Sequence, residues 1–314
     1  MYRMLSFDGG GLRGLVTIGI MRRIGSALQD PLWYRKADLY AGTSTGGIIA
    51  LGLAAGIPLS DVETLYREHG SRIFNRTSWW YASSLRRTLH CGYRNTALRS
   101  RLGRLFGEKR LEELEKAVVI PAFLLDDAGT NGFPTHSQPH WKPKIFHNLA
   151  GGDQDHGLCR DIALYTSSAP TYLPSAGSYI DGGVFANNPA MCAVAQMLDP
   201  RNADVLETRN LTMLSMGSGL VPGRITGQNL TWGILRWAPK LLTVLFDGNE
   251  GVVDYQCRQI LGRTHYQRIQ LQLDKRTSLD NARAIPRMNT LVNQVSDDQV
   301  ESWAAWIDRY WLKQ

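Results

Sequence analysis

The sequence predicts an α/β fold with a largely parallel central sheet flanked by helices. Short apolar strand segments alternate along the chain with helix segments, an order that is typical of parallel strands joined by crossover helices. Glycine-rich turns join a strand to a helix at two points, after Phe7 and after Ala41. Of the 314 residues, 43% are hydrophobic and 20% charged, a composition typical of globular proteins.

The predicted strands are short and bounded by turn residues. They are Tyr2–Phe7, Ala37–Ala41, Ala117–Leu125, Lys144–Asn148, Tyr179–Ile180, Leu211–Met216 and Tyr266–Leu273. Apolar residues at helical spacing predict the helices. These are Leu15–Leu28, Ile48–Ala55, Arg160–Ser168, Pro189–Leu198 and Asp297–Leu312, the last with Ser296 as its N-cap.

No internal repeat and no linker interrupts this order, so we predict one domain over residues 1–314. Residues 67–110 form an insertion with eleven Arg or Lys residues and two acids, a charge of +9 in a chain whose net charge is +7. We expect this basic insertion to be a helical cap. Excess arginine suits phosphate groups, and a solvated helical face is the alternative.

Four widely spaced cysteines, none in a CxxC pair, argue against a zinc site or a disulfide framework and favour a reducing compartment. The few residues before the glycine motif leave no room for a cleavable leader. The longest apolar runs fall far short of a membrane span. We therefore expect a cytoplasmic protein that is soluble or at most peripheral to the membrane.

The stretch Asp8–Gly14 (DGGGLRG) follows the first strand. A glycine-rich turn at this place either cradles a phosphate or presents backbone N–H groups to a developing oxyanion. The stretch matches neither G-x-x-x-x-G-K-[ST] nor G-x-G-x-x-G with an acidic residue about twenty residues later. A non-enzymatic phosphate or nucleotide binder is therefore the weaker alternative.

Gly42–Gly46 (GTSTG) matches G-x-S-x-G between a strand and a helix, which is the setting of a nucleophile elbow. Flanking glycines relieve the crowding of so sharp a turn. The helix N-terminus then favours negative charge near the serine. Ser44 is the candidate nucleophile, and a tight turn with Ser44 as N-cap is the structural alternative.

A serine hydroxyl needs a base. Asp181 ends a strand and precedes two glycines, which let backbone approach closely, but burial has to raise its pKa for this task. His265 is the only one of the seven histidines placed as a Ser…Asp…His triad requires. A soluble-ester hydrolase with a Ser44–Asp181–His265 triad therefore stays open as the alternative.

Together these motifs resemble the patatin-like phospholipase family. Its signature is a D-G-G-G-x-R/K-G loop, a G-x-S-x-G elbow and a D-G-G/A motif, which stand here as Asp8–Gly14, Gly42–Gly46 and Asp181–Gly183. The flanking stretches SSAPTYLP, NNP and LSMGSG also look like the family. The resemblance covers residues 2–220 and implies a three-layer fold with a helical cap, in which residues 225–314 are a family-variable part.

The resemblance to this family, and to its bacterial members, implies a lipid acyl hydrolase of the phospholipase A type. Ser44 and Asp181 would form a catalytic dyad that cleaves membrane glycerophospholipids through an acyl-enzyme, with neither metal nor cofactor. The oxyanion hole would be Gly9, Gly10 and Gly11. Arg13 would support that loop or meet a lipid phosphate.

Such an enzyme in the cytoplasm needs a gate, since its substrate is the inner face of its own cell's membrane. Some bacterial family members are antiviral effectors switched on by cyclic oligonucleotides, and the basic cap suits that role. The candidate regulatory or headgroup-binding residues are Arg86, Arg87, Arg99 and Arg101. No nucleic-acid polymer is expected as a partner, because no reading module accompanies the charge, and a homo-oligomer is left open.

Two groups of aromatic residues beside cations predict peripheral membrane contact. They are Trp79, Trp80 and Tyr81 in the cap, and Trp232 and Trp237 with Leu235, Leu241, Leu242 and Phe246. Core packing is the alternative for both groups. It is the better interpretation for Trp303, Trp306 and Trp311, which lie at helical spacing.

Overall fold

A mixed seven-stranded sheet runs through the centre of the fold. The computed structural model describes residues 1–74, 90–127, 140–149, 156–201, 206–275 and 277–313. The strands are β1 (Tyr2–Phe7), β2 (Leu39–Gly42), β3 (Ala117–Leu124), β4 (Lys142–His147), β5 (Tyr179–Asp181), β6 (Leu211–Met216) and β7 (Tyr266–Ile269). Their order is β4-β3-β2-β1-β6-β7, and β5 also pairs with β3.

Eleven helices of the described residues surround the sheet. They are α1 (Gly14–Ala27), α2 (Thr45–Ala54), α3 (Leu59–Arg67), α4 (Gly70–Ile73), α5 (Thr96–Phe106), α6 (Cys159–Thr166), α7 (Gly183–Ala186), α8 (Ala190–Met197), α9 (Ile234–His265), α10 (Ile285–Asn293) and α11 (Asp297–Ile307). Helix α9 is broken near its end, where Gly262 has φ +73°. None of the described helices is both long and apolar enough to cross a membrane.

Buried side chains lie on both faces of the sheet, which makes three layers. In β1, Met4 packs into one core with α8 and α9, while the next residue, Leu5, packs into the other core with α1 and α2. The two cores follow from the alternation of side chains along a strand. A parallel sheet needs helices packed on both of its faces, and this sheet has helices on each face.

Strand β3 is the branch point of the sheet. Its first residues pair in parallel with β2, and its last three pair antiparallel with β5, where Ala122 lies opposite Asp181. Strand β5 thus runs in the direction opposite to β1, β2 and β3. This pairing brings the end of β5 to the carboxyl ends of β1 and β2, where the glycine loop and the serine turn also lie.

The predicted α/β fold with a largely parallel sheet is confirmed, and every predicted strand is present in the structure. The strand predicted over Tyr266–Leu273 ends earlier, at Ile269. Helix α2 begins at Thr45 rather than Ile48, because Ser44 already occupies the N-cap position. Ser296 is the N-cap of α11, as predicted, and its side chain accepts a hydrogen bond from Gln299 N.

The basic insertion, expected to be helical, contains α5, which buries Leu98, Leu102 and Phe106 and packs on α6. Residues 75–89 of the insertion lie outside the described residues. Helix α9 was not predicted, because several glycines and a proline interrupt its pattern.

Candidate active site

Ser44 lies in the sharp turn between β2 and α2. Its φ is +55° and its ψ −122°, a backbone conformation that is strained for any residue with a side chain. The turn is held from outside: Ser44 N donates to Thr166 Oγ1 at 2.9 Å, and Thr166 Oγ1 donates to the Pro121 carbonyl at 2.6 Å. The sharp strand–turn–helix geometry predicted around Ser44 is therefore present.

Asp181 faces Ser44 from the end of β5. Its side chain is buried and accepts a hydrogen bond from Gly183 N at 2.7 Å. Burial raises the pKa of Asp181 to about 7, although the neighbouring Ser44 hydroxyl and Gly183 N favour the carboxylate and act in the opposite direction. An aspartate with this pKa can accept a proton at neutral pH.

The glycine loop packs tightly against neighbouring segments. A side chain at Gly9 would overlap Asn187 Oδ1, and Gly11 has φ +56°, a conformation that favours glycine. Gly9 N donates to the Asn187 carbonyl at 3.0 Å, so this N–H is not free to meet an oxyanion. Gly10 N and Gly11 N have no acceptor among the described residues, which leaves these two as the candidate donors.

Ser44, Asp181, Gly10 and Gly11 line one cavity. Most of its other walls are apolar or aromatic: Leu12, Ile48, Leu65, Tyr66, Ile73, Phe74, Leu98, Ala169, Tyr172, Leu173, Phe246 and Leu279. Such a wall suits a hydrocarbon chain, and the few polar groups converge at the serine. The cap contributes Ile73, Phe74 and Leu98 to it.

Arg13 lies directly after the glycine loop. Burial lowers the pKa of its guanidinium, and the carboxylates of Glu250 and Asp247 oppose that shift. Its Nε has no hydrogen-bond partner among the described residues. Arg13 is thus a largely buried cation with one unpaired N–H, lying close to the carboxyl groups of Glu250, Asp247 and Asp8.

A network of buried charged side chains holds the first residue of the glycine loop, Asp8. Arg268 in β7 binds both oxygens of Asp8, one of them at 2.9 Å, and donates to Ser215 Oγ at 2.8 Å. Glu250 in α9 lies 3.4 Å from Arg268 and accepts from Asn187 Nδ2 at 2.6 Å. Burial, with the nearby Asp8 carboxylate, raises the pKa of Glu250 to about 8, while Arg268 and Arg13 oppose that shift.

His265 does not reach the serine. It precedes β7, and its Nδ1 lies 3.2 Å from the Leu211 carbonyl at the start of β6. Both positions are at the amino edge of the parallel strands, whereas Ser44 is at the carboxyl edge. A six-residue strand spans about 20 Å, so the structure excludes the Ser44–Asp181–His265 triad.

The remaining predicted residues lie away from the dyad or outside the described residues. Arg99 is exposed on α5, Arg101 is half-buried on the same helix, and Arg86 and Arg87 lie outside the described residues. So do Trp79, Trp80 and Tyr81. In the part of the chain that the structure describes, no three His, Cys, Asp or Glu side chains are grouped to hold a metal ion.

The glycine loop, the serine elbow and the buried aspartate stand together within a stretch that matches a known family. Residues 5–194 match the family model of the patatin-like phospholipases, which is more than half of the chain. The chain belongs to this family. It is a hydrolase with the three-layer patatin fold.

Relatives of this patatin-like chain occur in bacteria and plants. The cGAMP-activated phospholipase of Pseudomonas aeruginosa (strain BWHPSA011 / Pa011) is 29% identical over 92% of this chain and 82% of its own length. Patatin-like protein 1 of Oryza sativa subsp. indica is 31% identical over 74% of this chain and 63% of its own length. Protein teg of Priestia megaterium is 25% identical over 74% and 68%, respectively.

Sequence reasoning missed the residues that the C-terminal part contributes to the site. Phe246 was expected at a membrane interface but lines the cavity, and Glu250 and Arg268 hold the glycine loop. Arg268 alternates with apolar residues along a strand and carries no motif. Only a buried charge in a predicted strand could have drawn attention to it.

The Asp8–Arg268 pair yields a stability prediction. Arg268→Met leaves the fully buried Asp8 carboxylate without its cation, and breaking such a pair costs about 3–5 kcal/mol. Asp8→Asn with Arg268→Met removes the unpaired charge as well. We expect the double variant to unfold at a higher urea concentration than Arg268→Met alone. Equal or additive losses in the double-mutant cycle would contradict the pairing.

Proposed function

We propose that this patatin-like hydrolase is a lipid acyl hydrolase of the phospholipase A type that works with a Ser44–Asp181 dyad. The observation that carries the proposal is the Ser44 hydroxyl facing a buried Asp181 in the wall of an apolar cavity. No histidine among the described residues lines that cavity. The base for Ser44 is therefore Asp181 itself.

In the first half of the reaction, Ser44 Oγ attacks the ester carbonyl of a glycerophospholipid. Its proton passes to Asp181, whose pKa of about 7 lets it accept the proton at neutral pH. The carbonyl oxygen becomes an oxyanion, met by Gly10 N and Gly11 N and by the positive end of α2. When the tetrahedral species collapses, Asp181 returns the proton to the leaving lysophospholipid oxygen, and the acyl group stays on Ser44.

The second half repeats these steps with water. Asp181 takes a proton from a water molecule, the resulting hydroxide equivalent attacks the acyl-enzyme, and the oxyanion forms again at the glycine loop. Collapse breaks the bond to Ser44 Oγ, which recovers its proton from Asp181. The products are a fatty acid and the original enzyme.

The cavity suits the two ends of a phospholipid. Its apolar walls accept the acyl chain, which gains about 0.8 kcal/mol for each methylene removed from water. Arg13, with an unpartnered Nε, lies directly beyond the glycine loop and is the group we assign to the phosphate. A guanidinium is well suited to a phosphodiester because its donors are planar and permanently charged.

Removal of either dyad member tests the proposal. Ser44→Ala and Asp181→Asn should each lower fatty-acid release from phospholipid vesicles by about 10³-fold or more, because nucleophile and base act as a unit. Mass spectrometry of the released fatty acid provides the measurement. His265→Ala is the matched control and should keep full activity. Normal release by Ser44→Ala or Asp181→Asn would refute the dyad.

The pKa of Asp181 predicts an acid limb in the pH profile. Only the carboxylate accepts a proton, so kcat should fall below pH 7 and reach about one hundredth of its plateau at pH 5. Initial rates with a monomeric ester between pH 5 and 9 measure this limb. The limb should be unchanged in His265→Ala. A rate that stays constant down to pH 5 would show that Asp181 keeps an ordinary pKa.

We also propose that a cyclic oligonucleotide raises this activity, as part of antiviral defence. Support comes from the similarity to a relative named a cGAMP-activated phospholipase, which covers 92% of this chain. Helix α5 offers a physical route, since it exposes Arg99 while its Leu98 lines the cavity. An anion bound to the basic face of α5 can thus shift a wall of the active site.

Added cGAMP should then increase fatty-acid release and bind with measurable heat. Arg99→Glu with Arg101→Glu should weaken that response by at least tenfold in cGAMP concentration, because it reverses two charges at the proposed contact. Arg283→Glu, an exposed arginine elsewhere, is the control and should respond normally. Calorimetry that detects no heat with cGAMP or other cyclic nucleotides would remove the proposal without touching the dyad.

A further inference from the structure

Helix α9 carries a stripe of exposed apolar side chains on one face. Its members are Leu241, Val244, Leu245, Val252 and Tyr255, whose exposed fractions lie between 44% and 65%. Spacings of three, four and seven residues place them on one side of the helix. The stripe extends for about 21 Å along the axis.

The stripe is not a core face of the helix. The opposite side of α9 packs Val253, Cys257 and Leu261 against the sheet. Exposed apolar residues scattered singly are normal, but here six of the ten large exposed hydrophobic residues of the described chain lie on α9. A concentrated apolar patch of this kind marks an interaction surface.

The charges around the stripe indicate which surface it meets. The described exposed residues of α9 include the cations Arg236, Lys240, Arg258 and Arg263, of which Arg258 pairs with the half-buried Asp254 of the same helix. Arg236 and Lys240 form no ion pair with a described residue. At the start of the helix, the rings of Trp232 and Trp237 lie 5.4 Å apart, and indoles favour the boundary between water and lipid.

We propose that this stripe docks the enzyme on an anionic lipid bilayer. Apolar side chains would enter the acyl boundary, while Arg236 and Lys240 meet anionic headgroups. The same helix places Phe246 in the wall of the active-site cavity. Docking therefore places on the membrane the helix whose other side lines the active-site cavity, and in this respect the inference rests on the proposed function.

The test separates docking from chemistry. Ser44→Ala, which cannot consume the lipid, is sedimented with sucrose-loaded vesicles containing phosphatidylglycerol. Adding Leu245→Gln and Val252→Gln should weaken binding by at least tenfold, since two apolar side chains lose their contact with the acyl boundary. Ile260→Gln is the matched control, because Ile260 is a 44% exposed residue of the same helix that lies off the stripe. It should bind within twofold of Ser44→Ala.

Activity is then compared in the chain with Ser44 intact. Leu245→Gln with Val252→Gln should lose vesicle hydrolysis by the same factor as binding, while hydrolysis of a short-chain monomeric ester is unchanged. If the unsubstituted chain hydrolysed neither substrate, that result would contradict the proposed function. Vesicle binding would still test whether the stripe docks on lipid. Undiminished vesicle binding by the double variant overturns the docking proposal.

A charge arm and an oligomer arm complete the test. Arg236→Gln with Lys240→Gln should weaken binding to anionic vesicles by about fivefold for each cation removed and leave binding to neutral vesicles unchanged. Sedimentation velocity on the same variants asks whether the stripe joins two copies of this chain instead. A dimer that becomes monomeric in the Leu245→Gln, Val252→Gln variant, without a loss of lipid binding, would overturn the proposal.

Discussion

Asp8 and Arg268 form an ion pair that is almost entirely removed from water, with side-chain exposures of 0% and 6%. Taking two charges out of water costs several kcal/mol for each ion, which the pair recovers only through close contact and further hydrogen bonds. Here both aspartate oxygens are bound, and Ser215 and Glu250 complete the surroundings of the guanidinium. The geometry of the pair is therefore strictly defined.

That constraint determines the shape of the catalytic edge. Asp8 is the first residue of the glycine loop, so fixing its carboxylate fixes the direction in which Gly10 and Gly11 present their N–H groups. Arg268 belongs to β7 and Glu250 to α9, both near the end of the chain. The loop at the beginning of the sequence is thus built on residues from its C-terminal part, which makes that part integral to the site.

The two buried aspartates show how their surroundings separate a structural role from a chemical one. Burial raises the pKa of Asp8, while the Arg268 guanidinium opposes that shift and binds both carboxylate oxygens, so Asp8 is not available as a base. The described partners of Asp181 are the Ser44 hydroxyl and Gly183 N. No cation among the described residues opposes burial at Asp181, and burial raises its pKa to about 7.

The active site also stores strain where the chemistry needs it. Ser44 at φ +55° costs of the order of 1–3 kcal/mol. Thr166 and Pro121 hold the turn through two hydrogen bonds, and these bonds cross between α6, β3 and the elbow. A strained backbone of this kind persists only where several surrounding elements hold it in place. Here they fix the orientation of the Ser44 side chain toward Asp181.

The sequence predicted those parts of the site that depend on local rules. The glycine loop, the elbow at Ser44 and the turn after Asp181 each need particular residues at fixed spacing, so they were visible without a structure. The parallel strands were visible because they are short apolar runs between helices. Strand β5 was found, but its antiparallel pairing with β3 was not, since pairing depends on tertiary contacts.

The parts that the sequence did not predict are set by long-range packing. Arg268 pairs with a residue 260 positions away, and no local pattern marks such a contact. Gly9 was expected among the oxyanion donors, yet its N–H is bound by Asn187, a detail decided by how the segment after β5 lies against the loop. Helix α9 was hidden by glycines and a proline, whose low helix propensity is overcome here by the core contacts of Val253, Cys257 and Leu261.

Helix α9 connects the candidate active site with the apolar stripe. Its inner side supplies Phe246 to the cavity and Glu250 to the network, while its outer side carries the apolar stripe. A helix with its side chains is about 10–12 Å across, so a bilayer seated on the stripe lies about one helix diameter from the cavity.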